Sequence, residues 1–198
     1  MLLFGYNFVS LDFNIGRINI LPDSIGYLLI FIAARALANS YQNKWFKLAK
    51  SASLILLPLS ILKLWISHSL ILNGSMTSTQ LSSRLFSFVS TSLMILLLTH
   101  CLHSVCRGIE KEAQQEGRSP LVSQAKKTWR AVWPYQLLLC LAAVWKLLSN
   151  QTQINMPIGN WFALSLFFIF IYYLIYSTYH VILLLRQAQK SITTSHSI

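Results

Sequence analysis

Apolar residues in this chain fall into five long runs, and the short stretches between the runs hold most of the charge. The runs cover residues 18–38, 51–72, 85–106, 129–149 and 160–185. A helix rises about 1.5 Å per residue and needs about 20 residues to cross the hydrocarbon core of a bilayer. Each run is about that long, so the pattern predicts an all-α fold, a polytopic transmembrane helical bundle with about five spanning helices.

The composition fits a protein that lies inside a bilayer. Hydrophobic residues make up 55% of the 198 residues and charged residues only 11%, too little polar surface to cover a soluble protein of this size. The longest segment outside the membrane, residues 107–130, which overlaps the start of the fourth run, has too few apolar side chains to fold on its own core. We expect one membrane-embedded domain over residues 1–198, in which residues 1–17 lie along the outer interface or re-enter the bundle.

The positive charge is divided unequally between alternate connecting segments. Of the 16 Lys and Arg residues, 12 lie in the segments after the first, third and fifth runs or at the adjoining ends of the runs, whereas only Arg17 and Arg84 lie on the other side. Basic segments stay in the cytoplasm, so we predict a cytoplasmic membrane protein with its N-terminus outside and its C-terminus inside. This division also explains the net charge of +11 without a nucleic-acid partner, and we expect none.

A proline lies inside the second run and another inside the fourth, and each follows a lysine by eight residues. The two prolines, Pro58 and Pro134, are 76 residues apart. This offset indicates an alternative organisation, one helix followed by two tandem hairpins at about residues 49–112 and 125–190. Chance recurrence of cytoplasmic Lys and membrane Pro explains the same pattern.

The start of the first run carries a distinctive motif. Residues 18–27 have the sequence INILPDSIGY. This pattern resembles the N-terminal signature ILPDxIGY of a group of small uncharacterised multi-pass membrane proteins of Gram-positive bacteria. The resemblance covers residues 11–30 and implies a bacterial cytoplasmic membrane protein, but no activity. Independently, Pro22 suits a first helical turn, and Asp23 suits the positive end of the helix dipole.

Residues 107–130 are predicted to continue the third helix into the cytoplasm and then to break it. Residues 109–116 are rich in helix-forming residue types. Gly117 can end such a helix, and Pro120 discourages its continuation. We therefore expect a helical extension with a break between Gly117 and Pro120.

Histidines in two runs are candidate ligands for a haem or a metal ion. His100 and His103 share one face of the third run, and His180 lies at a similar depth in the fifth. Opposed imidazoles at one depth could ligate such a group. Both residues of the third run lie within about two turns of Arg107, so the favoured interpretation is interfacial or helix-packing histidine, with no cofactor and no metal ion.

Tyrosines give the fifth run a polar stripe. Tyr172, Tyr176, Tyr179 and His180 recur at helical spacing. The stripe could line a pathway or bind a ligand, or it could pack inside the bundle and belong to the aromatic belt. Five tryptophans near run boundaries are predicted interface anchors: Trp45, Trp129, Trp133, Trp145 and Trp161.

Two lysines lie inside predicted spans, where charge is costly and usually has a partner or a function. Lys146 is near the outer end of the fourth run, whereas Lys63 is deeper in the second. Asp23 is the one acidic residue inside a predicted span. We hypothesise an ion pair between Asp23 and one of the two intramembrane lysines, against the alternative of independent snorkelling and helix capping.

No catalytic motif is visible, because the sequence has no HExxH, no GxSxG and no glycine-rich phosphate loop. The leading hypothesis is a non-enzymatic protein that acts by helix-mediated association with itself or with a membrane complex. The alternatives are a small transporter or channel subunit, and an intramembrane haem or redox protein. The expected partners are the lipid bilayer and either further copies of the chain or other membrane proteins.

Overall fold

Five helices dominate the computed structural model, which describes residues 6, 14–15, 18–19, 23–68, 81–148 and 161–195. The helices are α1 (Asp23–Ser40), α2 (Lys44–His68), α3 (Leu81–Gln115), α4 (Ser119–Leu148) and α5 (Trp161–Ser195). Two short strands precede them, β1 (Asn14–Ile15) and β2 (Ile18–Asn19), which pair antiparallel. The prediction of an all-α helical bundle is confirmed.

Three helices are long and apolar enough to cross a membrane, over Lys44–Lys63, Leu85–Gln115 and Phe167–Ala188. A fourth stretch, Ser24–Ser40, is a shorter apolar helix. These lengths and compositions identify a membrane protein. The number of spans and the direction of the chain through the membrane stay predictions.

The helices extend beyond the predicted spans at the end that we expect to be cytoplasmic. α2 begins at Lys44 rather than near residue 51, and α4 begins at Ser119 rather than near residue 129. A helix need not end where its apolar run ends, and the bounds of the membrane spans stay predictions. Residues such as Phe46 and Ala49 continue the buried face of α2 through its polar first turns.

The break between α3 and α4 falls where the sequence predicts it. Gly117 has a φ of 69°, the left-handed conformation that favours glycine. Its N–H donates to Gln114 O at 3.2 Å, and Arg118 N–H donates to Ala113 O at 2.8 Å. These two bonds form a Schellman motif, which satisfies carbonyls at the end of α3 before α4 begins. The prediction of a helical extension with a break at Gly117 is confirmed.

Consecutive helices run antiparallel, as the contacts between α2 and α3 show. Asn43 near the start of α2 contacts Glu112 near the end of α3. Farther along α2, Ala49 O accepts a hydrogen bond at 3.5 Å from the thiol of Cys101, which lies earlier in α3. Residue numbers rise along one helix as they fall along the other.

The same geometry continues through α4 and α5. Thr99 of α3 donates a hydrogen bond to Gln136 Oε1 of α4, 3.3 Å away. The ring of Tyr135 on α4 lies 5.5 Å from that of Phe170 on α5. The extensive contacts between described helices all join neighbours in chain order.

Several of the buried side chains on α1 and α2 are small. On α1, Ile30, Ala34 and Ala38 recur every four residues and are buried. On α2, Ala52 and Ser53 are buried beside larger residues. Small residues allow helix backbones to approach, which is how helices associate in lipid, where the apolar solvent provides little hydrophobic drive.

Among the described side chains, the buried ones concentrate toward one end of the bundle, where residues 41–43 connect α1 to α2 and residues 116–118 connect α3 to α4. We call this the corner end. Buried residues of α4 lie between Leu121 and Gln136, whereas Leu137, Leu141 and Leu148 are exposed. The other half of the bundle therefore presents large apolar side chains outward, as lipid contact requires.

Tyr6 joins the start of the chain to the last helix. Its side chain is fully buried, and its hydroxyl lies 3.1 Å from Ser177 Oγ on α5. Residues 1–17 were predicted to lie along the outer interface or to re-enter the bundle. Only residue 6 and residues 14–15 of that segment are described, so the prediction for the rest lies outside the described residues.

Candidate functional site

A close contact between α2 and α3 fixes the geometry of the corner end. Gly108 faces the ring of Phe46, which is 1% exposed. A Cβ atom at position 108 would lie 2.7 Å from Phe46 Cδ1 and 2.8 Å from Cζ, shorter than real contacts allow. The absence of a side chain at this glycine therefore lets the two helices approach.

Asn43 connects the same two helices by hydrogen bonds. Its Oδ1 accepts from Trp45 N at 3.1 Å, which makes Asn43 the N-cap of α2. Its Nδ2 donates to Glu112 Oε1 at 2.9 Å and to Gly108 O at 3.5 Å. The side chain of Asn43 thus caps the start of α2 and holds the end of α3.

A buried carboxylate joins α3 to α4 nearby. The Glu110 side chain is 8% exposed, and its Oε2 accepts from Arg107 Nη1 at 2.9 Å. Its Oε1 lies 3.6 Å from Lys126 Nζ on α4. The two cations compensate a charge that would be costly if it were buried alone.

Tyr41 lies in the corner between α1 and α2, close to the acidic end of α3. Burial raises the pKa of its hydroxyl above the ordinary value, and the charges of Glu116 and Glu112 raise it further. Arg118 acts in the opposite direction and lies 3.0 Å from Glu116 Oε2 through its Nε. The segment that connects α1 to α2 therefore lies close enough to the end of α3 for their groups to interact electrostatically.

His103 lies in an aromatic cluster rather than opposite another histidine. Its ring centroid is 4.4 Å from that of Trp129 on α4 and 6.1 Å from that of Trp45 on α2. Trp133 continues the cluster at 6.1 Å from Trp129. His103 Nδ1 and Trp45 Nε1 are buried without a hydrogen-bond partner in the described part of the chain.

His180 is held at the contact between α4 and α5. Its Nδ1 lies 3.3 Å from Gln124 Nε2, and its carbonyl accepts from Thr128 Oγ1 at 3.1 Å. Gln124 and Thr128 are buried. These bonds give His180 a structural role in docking α5 on α4.

Ring contacts connect the tyrosines of α5 that the sequence assigns to a polar stripe. The rings of Tyr172 and Tyr176 are stacked at 5.8 Å with an angle of 11°. Tyr176 meets His180 at 4.6 Å, and Tyr179 meets it at 5.6 Å. All three tyrosines are exposed, within the stretch of α5 long enough to span a membrane.

The predicted ligand histidines have different surroundings. His100 is exposed on α3, His103 lies among tryptophans, and His180 binds Gln124. Among the side chains that the structure describes, no three His, Cys, Asp or Glu residues are close enough together to hold a metal ion. A haem role for these histidines stays a prediction.

The proposed intramembrane ion pair lies outside the described side chains. The helix positions of Asp23 and Lys146 are described, but their side chains are not. Lys63 is exposed on α2. The pairing of Asp23 with Lys63 or Lys146 therefore stays a prediction.

The sequence hypotheses missed the Phe46–Gly108 contact, the Asn43 bridge and the Glu110 charge cluster. Two local signals were available. Asn43 precedes a run of helix-forming residues, as N-caps do. Gly108 lies in the middle of a helix-forming segment, where glycine is unfavourable unless close packing requires it.

Comparison of the chain with protein-family models, curated proteins and solved structures finds no match.

Proposed function

We propose that this chain is a multi-pass protein of a bacterial cytoplasmic membrane that acts by lateral association with a second copy of itself. Three helices of membrane-spanning length support its place in a bilayer. The division of Lys and Arg between connecting segments supports a cytoplasmic corner end and an outer N-terminus. No catalytic chemistry is needed for this role.

The exposed tyrosine stripe of α5 is the observation that carries the proposal. Tyr172 is 60% exposed and Tyr179 57%, although they lie within an apolar helix. α5 makes its extensive helix contacts with α4, and the described residues leave this face of α5 exposed. Polar groups on a helix at membrane depth usually meet another polar group, and hydrogen bonds between helices stabilise their association.

A second copy of the stripe suits the first because a phenol hydroxyl both donates and accepts. Two identical tyrosine stripes related by a twofold axis can therefore satisfy each other, as the isologous contacts of symmetric dimers do. Stacked rings add contact area along the helix. Lipid tails would cover the rings but would leave the hydroxyls without partners.

Co-expression of two differently tagged copies tests the proposal. After solubilisation in mild detergent, capture of one tag should recover the other, and copies mixed only after solubilisation should give much less recovery. Replacing Tyr172, Tyr176 and Tyr179 together by phenylalanine removes three hydroxyls from each copy. At about 0.6 kcal/mol per hydrogen bond, the triple change should weaken association about tenfold or more.

Tyr173→Phe is the matched control, because this tyrosine lies on the same helix beside the stripe. It should leave recovery of the second tag unchanged. Unchanged recovery in the triple variant, or no recovery of the second tag with the unaltered protein, would contradict self-association. Recovery of a different membrane protein in place of the second copy would also contradict it.

A further inference from the structure

Four cations lie side by side on α3 and α4 at the corner end. Arg107 and Lys111 are one turn apart on α3, and Lys126 and Arg130 are one turn apart on α4. All four are exposed. Arg107 and Lys126 converge on the single carboxylate of Glu110, at 2.9 and 3.6 Å. Two helices thus present one positively charged surface.

The charge on this surface is not balanced by the acids of α3. Glu110 compensates one unit of charge and is shared by two cations. The two acidic residues that follow it, Glu112 and Glu116, have other partners. Glu112 accepts a hydrogen bond from Asn43, and Glu116 pairs with Arg118. Arg107 and Lys126 together therefore keep a net positive charge that a further anion can neutralise.

An aromatic layer lies next to the cations, toward the middle of the membrane-spanning helices. His103 is one turn from Arg107 on α3, and Trp129 is one turn from Lys126 on α4. Their rings contact at 4.4 Å. Trp133 is 51% exposed and lies one turn farther along α4. One helical turn is about 5 Å, so Arg107 and Lys126 form a charged layer next to the aromatic groups, whereas Arg130 lies at the depth of Trp129.

This order of groups matches a phospholipid at a membrane surface. Its phosphate is anionic, and its glycerol and upper acyl chain lie a few ångströms deeper, where tryptophan rings are favoured. Basic pockets between transmembrane helices bind anionic headgroups in this way.

We propose that α3 and α4 bind the phosphate of an anionic phospholipid between Arg107 and Lys126. The aromatic layer of His103, Trp129 and Trp133 packs against the glycerol and upper acyl region. Glu110 holds the two cations together and tunes their net charge. This site requires the membrane location of the protein but not its self-association, so either proposal can fail alone.

Fluorescence quenching by brominated lipid measures this binding. The three exposed tryptophans far from the corner end, Trp65, Trp145 and Trp161, are first changed to phenylalanine, which leaves three reporters near the site. The protein is placed in phosphatidylcholine vesicles that contain brominated phosphatidylglycerol or, in parallel, brominated phosphatidylcholine. The ratio of the two quenching curves gives the selectivity for the anionic headgroup.

We expect the anionic lipid to bind about fivefold more tightly, the factor given by about 1 kcal/mol for one uncompensated cation. Arg107→Gln combined with Lys126→Gln should abolish this selectivity. Adding Glu110→Gln removes the carboxylate that those changes would leave unpaired, and this triple variant should fold and be equally unselective. Glu110→Gln alone should raise the selectivity by about a further fivefold, an increase that a purely structural ion pair would not produce.

Arg35→Gln combined with Lys127→Gln is the matched control, because both cations are exposed on α1 and α4 outside the proposed site. It removes the same charge and should keep the selectivity. Equal quenching by the two lipids in the unaltered protein would overturn the proposal. So would a loss of selectivity in the control variant as large as that in the Arg107→Gln, Lys126→Gln variant. Displacement of the brominated anionic lipid by millimolar glycerol phosphate would also overturn it, since the ligand would then be a soluble phosphate.

Discussion

Gly108→Ala should destabilise the protein, although alanine is the better helix former. In a helix interior, the change from glycine to alanine gains about 1 kcal/mol. The new methyl group would lie 2.8 Å or less from several atoms of the buried Phe46 ring, so the ring or the helix must shift. Overpacking costs about 1–3 kcal/mol. For contacts as short as these we take the upper part of that range, about 2–3 kcal/mol, which leaves a net loss of about 1–2 kcal/mol.

Phe46→Val should reverse the sign of the effect that Gly108→Ala has on stability. Valine at position 46 has no atoms where the ring meets Gly108, so Phe46→Val removes the steric conflict. On that background Gly108→Ala should gain about 1 kcal/mol through helix propensity. The coupling energy between the two positions is then about 2–3 kcal/mol, within the range known for residues in contact.

Unfolding by sodium dodecyl sulfate in mixed micelles, followed by circular dichroism, measures these differences for the single and double variants. A Gly108→Ala protein as stable as the unaltered one, or the same effect of alanine on both backgrounds, would refute the argument. Either result would mean that α2 and α3 can separate at the corner end without cost.

Three further outcomes are expected. Asn43→Ala should lose about 1–2 kcal/mol in the same unfolding assay, because it removes an N-cap and a half-buried hydrogen-bond partner of α3, whereas Asn43→Ser should retain most of the cap contribution. Reporter fusions should place position 115 in the cytoplasm and position 74 outside, and finding both on one side would exclude the predicted topology. Asp23→Asn should lower stability in detergent and cost much less when methionine replaces its partner lysine; strictly additive losses with both intramembrane lysines would exclude the ion pair.

The elements of this fold follow from local features of the sequence. Long apolar runs predicted the helices. A glycine before a proline predicted the break at Gly117, because glycine adopts a positive φ without steric cost. The ends of the helices were less predictable. The first turns of α2 and α4 are polar on one side, and only contacts with other helices show which residues continue the buried face.

The candidate sites depend on residues that are distant in sequence. Asn43 and Glu112 are separated by 69 positions, and nothing near either one indicates the other. The tyrosine stripe of α5 was predictable because its members lie on one helix. The aromatic cluster was not, since Trp45 and Trp129 both suit the role of interface anchor until their shared contact with His103 is known.

The chain-order packing of the helices has a consequence for biogenesis. Each helix docks mainly on the one synthesised just before it, so the bundle can grow one helix at a time as the chain enters the membrane. The bond between Tyr6 and Ser177 is different, because it joins positions 171 residues apart. It can form only when α5 has been made, so this bond forms after the first four described helices have entered the membrane.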